Sequence, residues 1–211
     1  MAAGEPELLG IGPDCEVRLS PRGVEQARVL GAWLKAVEPA PSLFIVSPYR
    51  RCMDTAQYAI SASGRSIPVQ ADDRLRERAL GILDRITPIG IRERFPQEAA
   101  ERARVGKYAY RPPEGESWAD VAQRLQPFVE DLLVRYAGVP VGIVTHQAVI
   151  LCFRYIVEAL NVEQLLAIDL AAEVAKCAVT SYRSSGTRLV LERYNDVEAV
   201  VAKAADDDAA G

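Results

Sequence analysis

The most informative residue for chemistry is His146, the single histidine among 211 residues. It follows the apolar run 141–144, and from Ala148 onward apolar residues recur at helical spacing. Such a run followed by an amphipathic helix predicts a buried parallel strand feeding a crossover helix. His146 would then lie at the carboxyl end of the strand, beside free N–H groups of the helix, where α/β sheets bind ligands and anions are favoured. The alternative is a structural histidine held by hydrogen bonds.

Two arginines occupy a similar position after a second apolar run. Leu43–Val46 predicts another buried strand, and Arg50 and Arg51 lie in the first turn of the helix that follows Ser47-Pro48. Cations are poorly placed at a helix N-terminus, so a bound anion there would compensate them. We interpret Arg50 as a solvated surface residue. An oxyanion is held best by a guanidinium fork together with an imidazolium, which predicts that Arg51 and His146 face each other across a cleft.

A third candidate is Glu77, an acid inside the basic stretch 74–78. An acid that donates protons near neutral pH needs a raised pKa, from burial or from nearby negative charge. If Glu77 has such a role, Arg74, Arg76 and Arg78 should point outward, since their positive charges would lower its pKa. The alternative is a surface glutamate in a salt bridge.

The surrounding pattern predicts an α/β fold, a three-layer sandwich with a mostly parallel central sheet and helices on both faces. Leu43–Val46 and 141–145 would be parallel strands of one sheet, with an edge strand near 67–69. Helices are predicted from Ser20-Pro21 and from Ser117, and a hairpin is predicted across 178–194 around Gly186. We expect one domain over 1–198, with a cap of short helices and loops at about 82–113 and a disordered acidic tail at 199–211.

Composition narrows the function classes. A net charge of −4 argues against nucleic acid or an anionic membrane as partner, and no apolar run approaches the length of a membrane span. Four scattered cysteines and one histidine make a metal site improbable, so we expect no metal and no cofactor. Residues 1–10 lack a signal-peptide pattern, and we expect a cytoplasmic location.

Four motifs in order resemble the histidine phosphatase superfamily, which contains the phosphoglycerate mutases and fructose-2,6-bisphosphatase. The sequence has L-S-P-R-G-V-E-Q-A at 19–27, S-P-Y-R-R-C-M-D-T-A at 47–56, L-R-E-R-A-L-G at 75–81, and G-E-S with V-T-H at 115–117 and 144–146. The segment T-H-Q-A-V at 145–149 and R-L-Q-P at 124–127 are most similar to the fructose-2,6-bisphosphatase version.

The resemblance implies roles for the three candidates. Arg51 matches the family's phosphate-binding arginine, Glu77 its proton donor, and His146 its second histidine, which binds phosphate from the side. It also implies a phosphoglycerate mutase-like fold and a small phosphorylated metabolite as substrate. Phosphatase and mutase activities share these motifs, so the sequence leaves both open, together with the substrate and the oligomeric state.

The family's R-H-G triplet, whose histidine is the nucleophile, does not appear in the sequence. The strand that carries it is central, and losing about four buried aliphatic side chains would cost about 6–12 kcal/mol. A domain's whole stability is about 5–15 kcal/mol, so we favour a truncated chain that lacks the first strand and has little or no activity. The alternative is a pseudophosphatase that binds a phosphorylated ligand or a protein.

Two other function classes fit the sequence less well. An interaction module could use the basic stretch 92–111 to bind an acidic partner, but it would not need Arg51, Glu77 and His146 around one cleft. A Rossmann-type nucleotide binder is less favoured because no G-x-G-x-x-G follows any strand.

Overall fold

The computed structural model describes residues 13–186 and 188–198. Within them the chain forms five strands and seven α-helices. The strands are β1 (Leu43–Val46), β2 (Val69–Ala71), β3 (Val141–Val144), β4 (Val179–Ser185) and β5 (Arg188–Asp196). The helices are α1 (Pro21–Ala36), α2 (Arg50–Ser63), α3 (Pro88–Arg94), α4 (Pro96–Val105), α5 (Trp118–Val134), α6 (Gln147–Val157) and α7 (Val162–Ala171). Short 3-10 turns cover Asp14–Glu16, Asp73–Leu75 and Gly81–Leu83.

The central sheet is parallel, with strand order β2-β1-β3. Both predicted buried strands are therefore confirmed, and they are direct neighbours, with Ile45 opposite Ile143. The edge strand is also present, but it begins at Val69 rather than at Ile67. The register brings the carboxyl ends of β1 and β3 to the same edge of the sheet.

Alternation along β1 divides the core between the two faces of the sheet. Ile45 packs in a cluster with residues of α5 and α6. Phe44 and Val46 belong to a second cluster, with residues of α1 and α2. Since successive strand residues point to opposite faces, helices cover both sides of the sheet. The packing matches the three-layer arrangement that the sequence predicted.

Neighbouring elements approach closely at two glycines. A Cβ on Gly142 would lie 2.6 Å from the ring of Phe44 on the neighbouring strand. A Cβ on Gly31 of α1 would lie 2.6 Å from Ala59 O and from Ala62 Cβ of α2. At Gly31 the backbone of α2 leaves no room for a side chain, and at Gly142 any side chain would displace the Phe44 ring.

The starts of α1 and α5 follow the capping rules. Ser20 Oγ accepts a hydrogen bond of 3.1 Å from Gly23 N at the start of α1, with Pro21 in the first turn. Ser117 and Asp120 form a capping box at the start of α5. These two predicted starts are confirmed, and α3 and α4 supply the short helices expected in the cap segment.

Strands β4 and β5 form a separate antiparallel pair, as predicted. Gly186 lies between them with φ +64°. The pair is attached to α6, where the rings of Phe153 and Tyr182 are 5.5 Å apart. The predicted tail at 199–211 lies outside the described residues, so its disorder stays a prediction. No helix in the described part of the chain is both long and apolar enough to cross a membrane.

Candidate active site

The candidate site lies at the carboxyl edge of the central sheet. Ser47 directly follows β1, and its N–H donates to Val144 O at 2.9 Å, which holds the two strand ends together. His146 follows β3 by two residues and is the N-cap of α6, without a side-chain capping bond. Its ring is therefore available to face the start of α2, where Arg51 lies.

The His146 ring is held from both nitrogens. Its Nε2 is 2.8 Å from Ser47 Oγ, and its Nδ1 is 3.2 Å from Arg51 Nη2. A guanidinium can only donate, so Nδ1 is the acceptor and the proton lies on Nε2, which donates to Ser47. The Tyr49 ring meets the imidazole edge-on, with centroids 5.0 Å apart.

The expected imidazolium is wrong for this state of the site. His146 is 6% exposed, and burial is the main cause that lowers its pKa to about 3. The positive charges of Arg51, Arg124 and Lys176 lower the pKa further. His146 is therefore neutral near pH 7, and its affinity for an anion must come from an N–H group rather than from a full charge.

Arg51 faces the cleft, whereas Arg50 does not. Arg51 donates from Nη1 to Asp14 Oδ1 at 3.1 Å and from Nη2 to Asp14 Oδ2 at 3.0 Å. Nη1 also donates to the backbone oxygen of Asp14 at 2.9 Å. The Arg50 side chain is 49% exposed and pairs with Asp54 along the helix, which confirms the interpretation of Arg50 as a surface residue.

Glu77 lies on the same cleft. Its Oε2 is 3.6 Å from His146 Nδ1, and its Oε1 accepts a hydrogen bond of 2.9 Å from Arg78 N. Burial raises the pKa of Glu77, and the negative charge of Asp14 raises the pKa further. Arg51 and Arg124 act in the opposite direction without reversing the shift. The direction of this pKa shift is the one that a proton donor near neutral pH needs.

The three arginines around Glu77 bind other acceptors, but the expectation that they point outward is wrong, because each is partly buried. The Arg74 guanidinium pairs with Asp72 and Asp131. That of Arg76 pairs with Asp73 and Glu116, and that of Arg78 donates to the backbone oxygens of Glu116 and Tyr110.

A buried arginine fixes the loop that carries Glu77. Arg124, on α5, donates to the backbone oxygens of Arg74, Arg76 and Glu77 at 2.6, 2.8 and 3.3 Å. The same guanidinium pairs with Glu116 at 2.8 Å. Thr145 Oγ1 donates to Leu75 O at 2.8 Å, which ties the loop to the end of β3. These contacts set the position of Glu77 relative to His146.

The model for branch 1 of the histidine phosphatase superfamily matches residues 6–197. The chain belongs to the histidine phosphatase superfamily. Its structure has the family's parallel sheet with helices, as the neighbours below show, and it brings Arg51, Glu77 and His146 to one edge of that sheet.

Curated relatives of this histidine phosphatase chain match it over part of their length. It is 37% identical to 6-phosphofructo-2-kinase/fructose-2,6-bisphosphatase of Aquarana catesbeiana over 71% of the chain and 30% of that protein. It is 35% identical to a phosphoglycerate mutase-like protein of Arabidopsis thaliana over 57% of the chain and 39% of that protein. The matches thus span less than half the length of these relatives.

Solved structures match over most of the chain. Bacillus stearothermophilus YhfR is 28% identical, with a TM-score of 0.75 over 88% of both chains. A mycobacterial glucosyl-3-phosphoglycerate phosphatase in complex with VO3 is 26% identical, with a TM-score of 0.73 over 90% of this chain and 91% of that one. These neighbours support a phosphatase-like function for the chain.

Sequence reasoning missed three residues of the site. Ser47 could have been found, since it ends a strand at the same edge as His146. Arg124 lies in a motif that we used only for resemblance, and its contacts are 47 to 50 residues away in the chain. No sequence pattern around Asp14 indicates that its carboxylate binds Arg51. Among the described residues, no group of three or more histidine, cysteine or acidic side chains is arranged to hold a metal ion.

Proposed function

We propose that this site binds the phosphoryl group of a small phosphorylated metabolite and belongs to a phosphomonoester hydrolase. The observation that carries the proposal is the meeting of Arg51 and His146, 3.2 Å apart, with Glu77 Oε2 3.6 Å from the same imidazole. A guanidinium and an imidazole N–H suit two equatorial oxygens of a phosphoryl group. A carboxyl with a raised pKa beside them suits protonation of the leaving oxygen.

Ser47 supports a donating role for neutral His146. A serine hydroxyl both donates and accepts, so Ser47 can pair with either tautomer of the ring. When an oxyanion takes the place next to Nδ1, the Ser47 hydroxyl can donate to Nε2 while Nδ1–H donates to the oxyanion. The side contact to phosphate then needs no imidazolium.

The proposed reaction follows the two-step scheme that the resemblance implies. An attacking imidazole nitrogen forms a bond to phosphorus while the bond to the leaving oxygen breaks, and Glu77 gives its proton to that oxygen. Glu77, now a carboxylate, then removes a proton from water as the water oxygen attacks phosphorus and the P–N bond breaks. His146 binds from the side, so the in-line nucleophile must be a different group.

Two nucleophilic atoms lie next to His146, and neither suits the attack. Ser47 is fully buried, and Cys52, whose Sγ is 3.5 Å from Nε2, is 4% exposed. Burial raises the pKa of Cys52 to about 12, so the reactive thiolate is scarcely populated near pH 7. These properties support a nucleophile from a segment that the printed sequence does not contain.

The sheet offers a place for such a segment. β3 is at one end of the strand order and, within the described residues, its outer edge pairs with no strand. Its residues are apolar yet only partly buried, in contrast to β1. Native proteins usually cover such edges. We propose that a strand carrying the family's nucleophilic histidine lies along this edge and that the chain studied is truncated.

A second candidate is a pseudophosphatase that binds a phosphorylated ligand without turnover. The observation that favours it is the pairing of Arg51 with Asp14, which fills the guanidinium fork with the chain's own carboxylate. In both readings the 211-residue chain binds phosphate weakly and turns over little substrate.

Phosphate binding tests the site. Orthovanadate or phosphate should raise the melting temperature of the wild type, because a ligand bound only to the folded state stabilises it. Arg51→Ala should abolish this shift. Arg50→Ala is the matched control, since it removes the adjacent guanidinium, and it should leave the shift unchanged. Equal loss in both variants, or a loss with Arg50→Ala alone, would show that the assignment of Arg51 is wrong.

Turnover separates the two candidates. The 211-residue chain should hydrolyse p-nitrophenyl phosphate little or not at all. Adding a native upstream segment with a strand and R-H-G should restore hydrolysis by orders of magnitude if the chain is truncated, and no such coding segment would be found for a pseudophosphatase. Robust hydrolysis by the 211-residue chain that is lost in His146→Ala would contradict both.

A further inference from the structure

The donor groups of Arg51 are almost fully used within the protein. A guanidinium has four terminal N–H groups and one on Nε. The two on Nη1 meet the backbone oxygen and Oδ1 of Asp14, and the two on Nη2 meet Asp14 Oδ2 and His146 Nδ1. An oxyanion that uses the guanidinium fork must therefore displace Asp14.

The Asp14 carboxylate has the geometry of a bound oxyanion. Its two oxygens face the two terminal nitrogens of Arg51 at 3.1 and 3.0 Å, which is the bidentate arrangement that guanidinium makes with carboxylate or phosphate. The Arg51 side chain is 23% exposed and that of Asp14 is 34% exposed, so the pair is partly accessible to solvent.

The negative charge of Asp14 reaches the rest of the cleft. It raises the pKa values of Glu77, Tyr49 and Asp84, although burial is the larger cause for each of them. A phosphoryl group at Arg51 would add a second anion to this position. Because like charges at one guanidinium repel, the two anions exclude each other.

The segment that carries Asp14 is held lightly. The turn Asp14–Glu16 has no buried residue, and its internal hydrogen bonds are local, from Glu16 N to Pro13 O and from Val17 N to Asp14 O. Within the described part of the chain, all the hydrogen bonds recorded from this turn to other elements end on Arg51. Release of Asp14 therefore breaks one cluster of contacts and exposes no core.

We propose that Asp14 is a built-in competitor for the oxyanion site, so that the turn Asp14–Glu16 must leave Arg51 before a phosphoryl group can bind. The inference rests on the proposed function of Arg51. The site is open only in the fraction of molecules in which Asp14 has left, and the apparent affinity for phosphate falls by that fraction. The position of the turn Asp14–Glu16 thus controls the apparent affinity of the site for phosphate.

Asp14→Asn tests the proposal, with Glu16→Gln as the matched control. Both variants replace an acid of the same turn by its amide, but Glu16 has no recorded contact with Arg51. Asp14→Asn should tighten the binding of inorganic phosphate by about tenfold or more, the effect of weakening one charge-assisted fork. Glu16→Gln should leave the affinity near that of the wild type. In the Asp14→Asn background, Arg51→Ala should remove the gain.

A second measurement does not depend on phosphate binding. Phenylglyoxal modifies accessible guanidinium groups, and mass spectrometry of the peptide that contains Arg51 gives the rate at that residue. This rate should rise in Asp14→Asn and in Asp14→Ala, and stay at the wild-type value in Glu16→Gln.

The two readouts separate the possible failures. If neither the labelling rate nor the affinity of Asp14→Asn differs from that of Glu16→Gln, the competitor proposal is overturned. Wild-type phosphate binding that is lost in Arg51→Ala would leave the proposed function standing in that case. Faster labelling without phosphate binding in any variant would overturn the proposed function and show that Asp14 covers a guanidinium with another use.

Discussion

His146 shows how burial sets the charge of a residue that composition alone would leave ambiguous. Its ring lies between Ser47 and Arg51, which contact its two nitrogens. The Glu77 carboxylate oxygen is 3.6 Å from Nδ1. A histidine on an exposed strand end would titrate near pH 6.5. Here the neutral ring persists to about pH 3.

The depressed pKa of His146 predicts a pH dependence of stability. Below pH 6.5 the unfolded chain binds a proton at His146 and the folded chain does not, so the folded state loses stability as the pH falls. The loss is about 1.4 kcal/mol per pH unit, or about 2 kcal/mol between pH 6.5 and 5. His146→Gln lacks this proton uptake, and the difference between its unfolding free energy and that of the wild type should change by that amount in urea titrations. Parallel pH profiles for the two proteins would contradict a neutral His146.

At the scale of elements, Arg124 makes the hydrogen bonds from α5 to the backbone of the Glu77 loop. Arg124 is 13% exposed and Glu116 is 14% exposed, so their pair is largely removed from water. Removing Arg124 would leave Glu116 paired with Arg76, but the carbonyl oxygens of the loop would lose this donor. The loop that presents Glu77 therefore depends on a residue of a different element.

We predict that Arg124→Ala lowers the free energy of unfolding by about 3–5 kcal/mol, because three partly buried carbonyl oxygens lose their donor. Arg111→Ala is the matched control, because its ion pair with Asp120 joins the same region but the Arg111 side chain is 63% exposed. The control should cost about 1 kcal/mol or less. Chemical denaturation measures both values. Similar losses of unfolding free energy in the two variants would contradict a larger stabilising contribution from Arg124.

The elements were largely predictable from sequence, because strands and helices leave periodic patterns of apolar residues. Leu43–Val46 and Ser20 follow such local rules, and the structure places both as predicted. The contacts between elements were not predictable in the same way. The pairing of Arg51 with Asp14 joins residues 37 positions apart, and no spacing rule connects them. His146 was located correctly, but its charge depends on burial that only the assembled fold defines.

At the scale of the whole molecule, the described chain has a parallel sheet with its two helical layers and, beside it, the β4–β5 pair. The attachment of that pair to α6 is partly ionic. Arg154 pairs with Glu158 at 2.8 Å, Tyr182 donates to Glu158 at 2.7 Å, and the Arg154 guanidinium lies 3.9 Å from the centroid of the Tyr194 ring. Arg154 is 7% exposed, so these charges are kept from water by the contact itself.

This joint predicts that the β4–β5 pair can open separately from the sheet. Arg154→Ala should speed hydrogen exchange of the β4 and β5 amides by about tenfold or more, with a smaller effect on β1 and β3. Arg183→Ala, which removes an exposed cross-strand partner of Glu192 on the same hairpin, is the control and should change the exchange little. Exchange that accelerates equally in all strands would show that the molecule opens as one unit.

The turn at Asp14–Glu16 also places an exposed thiol, Cys15, next to the residue that covers Arg51. Cys52 and Cys152 are buried, and burial raises the pKa of each to about 12. Alkylating dyes should therefore not react with these two thiols. With Cys177 replaced by serine, a fluorophore could be attached at Cys15 alone. Its emission would report in real time whether the turn is docked or released, and would turn the protein into an optical sensor of the ligand it binds.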